Sequence, residues 1–156
     1  MSRAFVKESD DGAEILPDRP ISPHPNLVTP EGLALIDATV ERLRNERSAA
    51  LGAANDKGSL ARIDRDLRYW LARRSTAQVV HAPSDPAVVS FGCTVALARD
   101  NGHRQMYRIV GEDEADPARG TLSYVSPVAR ALMGTQVGDT VPMGSSEAEI
   151  LSIKCS

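Results

Sequence analysis

Leu33, Ile36, Val40 and Leu43 recur at intervals of three, four and three residues, which lays an apolar seam along one side of a helix. Glu41, Arg42, Arg44 and Glu46 fill the other faces. The same intervals return at Leu60, Ile63, Leu67 and Trp70, flanked by Arg62, Asp64, Arg65, Asp66 and Arg68. Thr29-Pro30-Glu31 supplies a start: a capping hydroxyl, a proline suited to the first turn and an acid at the positive end of the helix dipole. Between the seams lie the small residues 48–54 and the polar turn Asn55-Asp56-Lys57-Gly58, in which Gly58 or Asn55 can take a left-handed cap; Ser59 can cap the second helix. Two narrow matching seams joined by a short turn bury most simply on each other. The pattern predicts an antiparallel helical hairpin over residues 29–76.

From Ala77 the period becomes two. Gln78-Val79-Val80 and Val88-Val89 read as short extended pieces around a proline-containing loop. Residues 94–97 and 105–110 flank Asp100-Asn101-Gly102, and Asn-Gly is a strong hairpin signal. Residues 121–125 form another strand candidate, Ser126-Pro127 starts a short helix that ends at Gly134, and Gly138-Asp139 turns the chain before 140–143. Ala148, Ile150 and Ile153 mark a closing strand. Four or five short antiparallel strands and one helix make a small α+β domain over residues 77–156. Residues 1–28, with Pro17, Pro20, Pro23 and Pro25 and no apolar periodicity, read as a flexible leader.

The length of 156 residues suits one compact domain with an appendage. Net charge is −3, which argues against a protein that holds nucleic acid mainly through phosphates. Residues 29–80 carry nine basic and seven acidic side chains, whereas 81–156 carry six and nine, an imbalance too small to name a partner. Cys93 and Cys155 match no zinc or redox spacing and read as two reduced, partly buried thiols. His24, His81 and His103 are scattered, so no metal site and no cofactor is expected. No apolar run reaches the roughly 20 residues of a membrane span and no signal peptide opens the chain, so a cytoplasmic protein without membrane contact is expected.

Several blocks carry a resemblance. Phe91-Gly92-Cys93-Thr94-Val95, the run from Tyr107 to Asp116, Ser126-Pro127-Val128-Ala129-Arg130-Ala131-Leu132-Met133-Gly134 and Val137-Gly138-Asp139 resemble, in that order, the C-terminal domain of the bacterial transcription factors GreA and GreB. Leu27-Val28-Thr29-Pro30-Glu31-Gly32 looks like the family's helix start, and Ile63-Asp64-Arg65-Asp66-Leu67-Arg68-Tyr69 looks GreB-like. The resemblance implies an N-terminal coiled-coil hairpin followed by an FKBP-like α+β domain. It also implies docking at the rim of the RNA polymerase secondary channel, with Ser126, Pro127 and Arg130 on the docking surface. Nucleic acid would be met only through the transcription complex, and a monomer is expected. The acidic run Glu112, Asp113, Glu114 and Asp116 reads as a solvated turn rather than a metal site.

The chain departs from that family at the hairpin tip. Cleavage-stimulating members carry a tip of the form Gly-Asp-x-x-Glu-Asn-Ala-Glu/Asp-Tyr, whose carboxylates hold a second Mg²⁺ for attack of water on RNA. Here the tip residues are Asn55, Asp56 and Lys57, and Asp56 is the only acid between Glu46 and Asp64. The arms are also shorter by roughly 15–20 residues in total, which withdraws the tip by roughly 12–15 Å. The expected function is thus a non-enzymatic elongation regulator that binds polymerase without a catalytic tip, similar in architecture to the short-hairpin Rnk-like group. Alternatives are an active transcript-cleavage factor, a hairpin module acting on another partner, and a prolyl isomerase suggested by the fold. The isomerase lacks an aromatic-lined pocket, since the C-terminal half offers only Phe91, Tyr107 and Tyr124.

Overall fold

A computed structural model describes residues 15–53 and 57–155 of the chain. It is an α+β protein whose described residues divide into two compact units, one containing residues 15–23 and 35–76, the other containing residues 24–34 and 77–155.

Helix α1 (Pro30–Gly52), which belongs to the first unit from Leu35 onward, and helix α2 (Lys57–Thr76) are the two long elements. The small residues after Arg47 stay helical, as expected where alanine, the strongest helix former, dominates. Ile36, Val40 and Leu43 are buried as their spacing predicts, whereas Leu60, Ile63, Leu67 and Trp70 are only half-buried. The buried residues of α2 are Ala61 and Arg73, the latter 1% exposed. Arg47, late in α1, pairs with Asp64, early in α2, at 2.6 Å. Arg74, near the end of α2, pairs with Asp37 near the start of α1. These crossed ends fix the two helices as antiparallel neighbours.

Residues 1–14 lie outside the described part, but residues 15–28 make definite contacts. Asp18 and Arg19 pair with Arg68 and Asp66 of α2. Leu27–Val28 forms strand β1, paired in parallel with β2 (Gln78–Val79). Proline punctuation hides such contacts from periodicity, because the partners lie about 50 residues away.

The second unit is built on a five-stranded sheet in the order β5-β4-β3-β7-β6. Its strands are β3 (Thr94–Arg99), β4 (Arg104–Val110), β5 (Thr121–Ser123), β6 (Thr140–Met143) and β7 (Ser146–Lys154). The sheet is mixed, not antiparallel as expected: β5 runs parallel to β4, with Arg108 opposite Thr121 and Val110 opposite Ser123. The reason is the connection. Residues 111–120 run back along β4 through a turn and a short 3₁₀ segment (Pro117–Arg119) before β5 begins, and a return path of that kind gives a parallel pair. Val88-Val89 is not a strand, although Val89 is 1% exposed and exchanges backbone hydrogen bonds with Gly134 and Thr135 at the end of helix α3 (Pro127–Leu132).

The β3–β4 hairpin turns at Asn101-Gly102, with Gly102 at φ 82°, a left-handed conformation that glycine takes without cost. β7 carries a bulge: Ala96 faces Ser152 while Leu97 faces Ile150, leaving Leu151 extra. That extra residue lets Ile150 and Ile153, three apart, both serve the core. Strand alternation buries Val95 and Leu97 completely, and the core continues through Ile109, Leu132 and Ile150.

The cysteines also depart from expectation. Thr94 and Lys154 are register partners across β3 and β7, so Cys93 and Cys155 flank that pair on opposite strands. Their Cα atoms lie 4.5 Å apart and the sulfurs are bonded, closing a separation of 62 residues. The expected reduced thiols are a disulfide, with Cys93 fully buried.

Candidate functional site

The candidate docking residues sit on and just before α3. Ser126 has extended backbone (φ −70°, ψ 154°), and its hydroxyl accepts a hydrogen bond from the Ala129 N–H at 3.3 Å. Pro127 occupies the first helical turn, where its missing N–H leaves no bond unmade. Ala129 and Leu132 are completely buried and anchor the helix to the core. Pro127 and Arg130 are exposed on its outer side, with Ser126 half-buried between them and the body of the unit. Two residues before Ser126, Tyr124 meets Phe91 edge to face at 5.8 Å between ring centroids. Tyr124 also donates its hydroxyl to the Pro25 carbonyl. The arrangement presents a proline, a cation and a capped hydroxyl on a short, rigidly backed helix.

Of the tip residues, Asn55 and Asp56 lie outside the described part, while Lys57 is exposed at the first position of α2. Asp64, the next acid along α2, is engaged by Arg47. No group of three or more His, Cys, Asp or Glu suited to a metal occurs among the described residues.

A polar cluster that the motifs did not single out surrounds the start of α1. The Thr29 hydroxyl accepts from the Gly32 N–H at 2.9 Å, the predicted N-cap. The same hydroxyl, on a residue 1% exposed, lies 2.6 Å from Glu114 Oε2 and donates to that carboxylate. Glu114 thus belongs to the helix cap, not to a solvated turn, and a Cβ on Gly32 would run into its carboxylate. Arg108 holds Glu31 at 3.1 Å and donates from Nε to the Gly92 carbonyl at 3.1 Å. Hydrogen bonding to its own backbone and to Arg108 holds the Glu31 carboxyl below its usual value of 4.5. The signal for this cluster was Thr-Pro-Glu itself; its partners at 108 and 114 could be located only with the sheet in place.

Comparison with known proteins decides the family. The domain described as "Transcription elongation factor, GreA/GreB, C-term" matches residues 83–155. Transcription elongation factor GreB of Neisseria meningitidis serogroup B is 36% identical over 83% of this chain and 93% of its own. The chain belongs to the GreA/GreB family of transcription elongation factors. GreB of Xanthomonas axonopodis pv. citri is 37% identical over 81% of this chain and 89% of its own. GreA of Nitratidesulfovibrio vulgaris is 32% identical over 81% and 92%. The GreA factor homolog Gfh1 of Thermus thermophilus aligns at 24% identity and TM-score 0.40, covering 83% of this chain and 99% of its own. Membership agrees with an accessory factor rather than a free-standing enzyme. Among the described residues, no helix is long and apolar enough to cross a membrane.

Proposed function

We propose that this GreA/GreB-family protein binds bacterial RNA polymerase at the rim of the secondary channel and modulates elongation without stimulating transcript cleavage. In this reading the sheet unit is an FKBP-like docking domain of residues 77–156 and acts as a monomer in the cytoplasm. Ser126, Pro127 and Arg130 lie in its docking surface. Residues 29–76 are a shortened coiled-coil hairpin that reaches into the channel, with Asn55, Asp56 and Lys57 at its tip. Nucleic acid is met only through the transcription complex.

The observation that carries the reading is the order of parts in a chain 36% identical to GreB over 93% of that protein. A pair of antiparallel helices precedes the sheet unit that holds the Ser126-Pro127 helix. Against cleavage stands the poverty of carboxylates. Asp56 is the sole acid between Glu46 and Asp64, and Asp64 is already matched by Arg47 at 2.6 Å. One anionic ligand is a poor holder of Mg²⁺ beside a phosphodiester.

The test uses backtracked elongation complexes with labelled RNA, incubated with this protein and Mg²⁺, and core-polymerase binding measured in parallel. Binding without RNA shortening is expected. Shortening that Asp56→Ala abolishes would make this a cleavage factor, and absence of binding would remove polymerase as the partner.

A further inference from the structure

We infer that residues 15–23 form an ionic strap over α2, which opens reversibly when charge is screened or competed away and so withholds Arg68 and the Tyr69 ring from partners. The strap meets the helix with reversed polarity. Its acid, Asp18, takes the helix base Arg68 at 2.6 Å, and its base, Arg19, takes the helix acid Asp66 at 3.3 Å. Arg68 also donates to the Leu16 carbonyl at 3.1 Å, and the Arg19 guanidinium lies 4.0 Å from the Tyr69 ring centroid. This alternation sets register. A one-residue slip would bring Asp18 toward Asp66 or Arg19 toward Arg68.

Ile15 is 83% exposed and Ile21 is 47% exposed, and of the strap's three aliphatic side chains Leu16 alone is half-buried. Pro17, Pro20 and Pro23 recur every third residue, the period of polyproline II, and lack N–H groups that could join a strand ladder. A segment that needs little backbone ordering to close, and is held by one exposed and one partly buried ion pair, is suited to opening and reclosing. Exposed ion pairs are individually weak and are screened by salt. An acidic group on a partner that competes with Asp18 for Arg68 opens the strap by the same route. Tyr69 and Arg68 line one recess with Asp18, Arg19, Ile21 and Ala72, so the two helix side chains are uncovered together.

The experiment uses the full chain and two readouts, neither requiring polymerase. Backbone order parameters at Arg19 and Ile21 are expected near 0.85 at low salt, and below about 0.6 in Asp18→Lys or in about 1 M salt. Nitration of Tyr69 relative to Tyr107, mapped by mass spectrometry, rises several-fold under the same conditions. The charge-exchanged pair Asp18→Arg with Arg68→Asp restores both values, which separates an ionic strap from damage to α2. Order parameters and nitration that stay unchanged in Asp18→Lys and in salt would overturn the inference. So would a charge exchange that fails to restore them while helix content is intact.

Discussion

Arg47 Nε and Asp64 Oδ1 lie 2.6 Å apart across the two helices, seventeen residues apart in sequence. Together with Arg74 and Asp37 at the opposite ends, this pair ties the helices in one register. Both side chains are partly exposed, so solvent screens the attraction. A double-mutant cycle of Arg47→Ala and Asp64→Ala should give a coupling of about 0.2–1 kcal/mol in urea unfolding. A coupling near zero would show that this pair does not hold the register.

The disulfide between Cys93 and Cys155 fastens the end of β7 to the start of β3. It closes a loop of 62 residues, so its main effect is to restrict the unfolded chain. Reduction, or Cys93→Ala with Cys155→Ala, should lower stability by about 2–4 kcal/mol in thermal or urea unfolding. A melt identical with and without reductant would show that the bond is not formed in solution.

Much of this was legible in the residues. Seam spacing found both helices, Thr29 was placed as a cap, and Asn101-Gly102 marked the hairpin. What escaped detection was long-range. Whether Cys93 could reach Cys155 depended on Thr94 pairing with Lys154, a register that no local pattern carries. The parallel β5 likewise depended on where residues 111–120 return, and the Asp18-Arg19 contact on charges about 50 residues away. At the candidate site, Ser126-Pro127 was visible as a helix start because capping is local. The Glu31–Arg108 and Thr29–Glu114 contacts were not, because their partners come from distant turns and strands.

Gly111 is a packing glycine. A Cβ there would strike the Leu27 carbonyl oxygen of β1, which is backbone and cannot swing aside. Gly111→Ala should therefore destabilise by about 1–3 kcal/mol. Gly52 has nothing within 4 Å of its own virtual Cβ and closes α1. Gly52→Ala should be neutral or stabilising by up to about 1 kcal/mol. Equal effects at the two sites, read from the same unfolding assay, would refute the close approach of β1.

Glu31 gives a pH dependence with a definite sign. Its folded carboxyl is held below the ordinary 4.5, first by its own backbone N–H and then by Arg108. The native state thus favours the ionised form. The contribution is present above the unfolded value of 4.5 and is lost as pH falls through the lower folded value. The Tm gap between the parent protein and Glu31→Gln should be constant near neutral pH and close as the pH falls below 4.5. A gap that persists in acid would mean that Glu31 acts through packing instead of charge.

Ser126 has two separable tasks in the proposed reading, capping α3 and offering a surface to polymerase. Ser126→Ala removes the side chain that accepts from Ala129 N–H and should cost about 1 kcal/mol of stability. Ser126→Asp keeps an acceptor at the cap, so its stability should stay close to that of the parent. Arg130→Glu lies on the exposed side of α3 and should change stability by no more than about 0.5 kcal/mol. If this helix docks, Ser126→Asp and Arg130→Glu should both weaken binding to core polymerase by about tenfold or more while melting normally, since each places new negative charge in a fitted contact. Parent-like affinity in both variants would move the docking surface elsewhere on the sheet unit and leave Ser126 as a helix cap only.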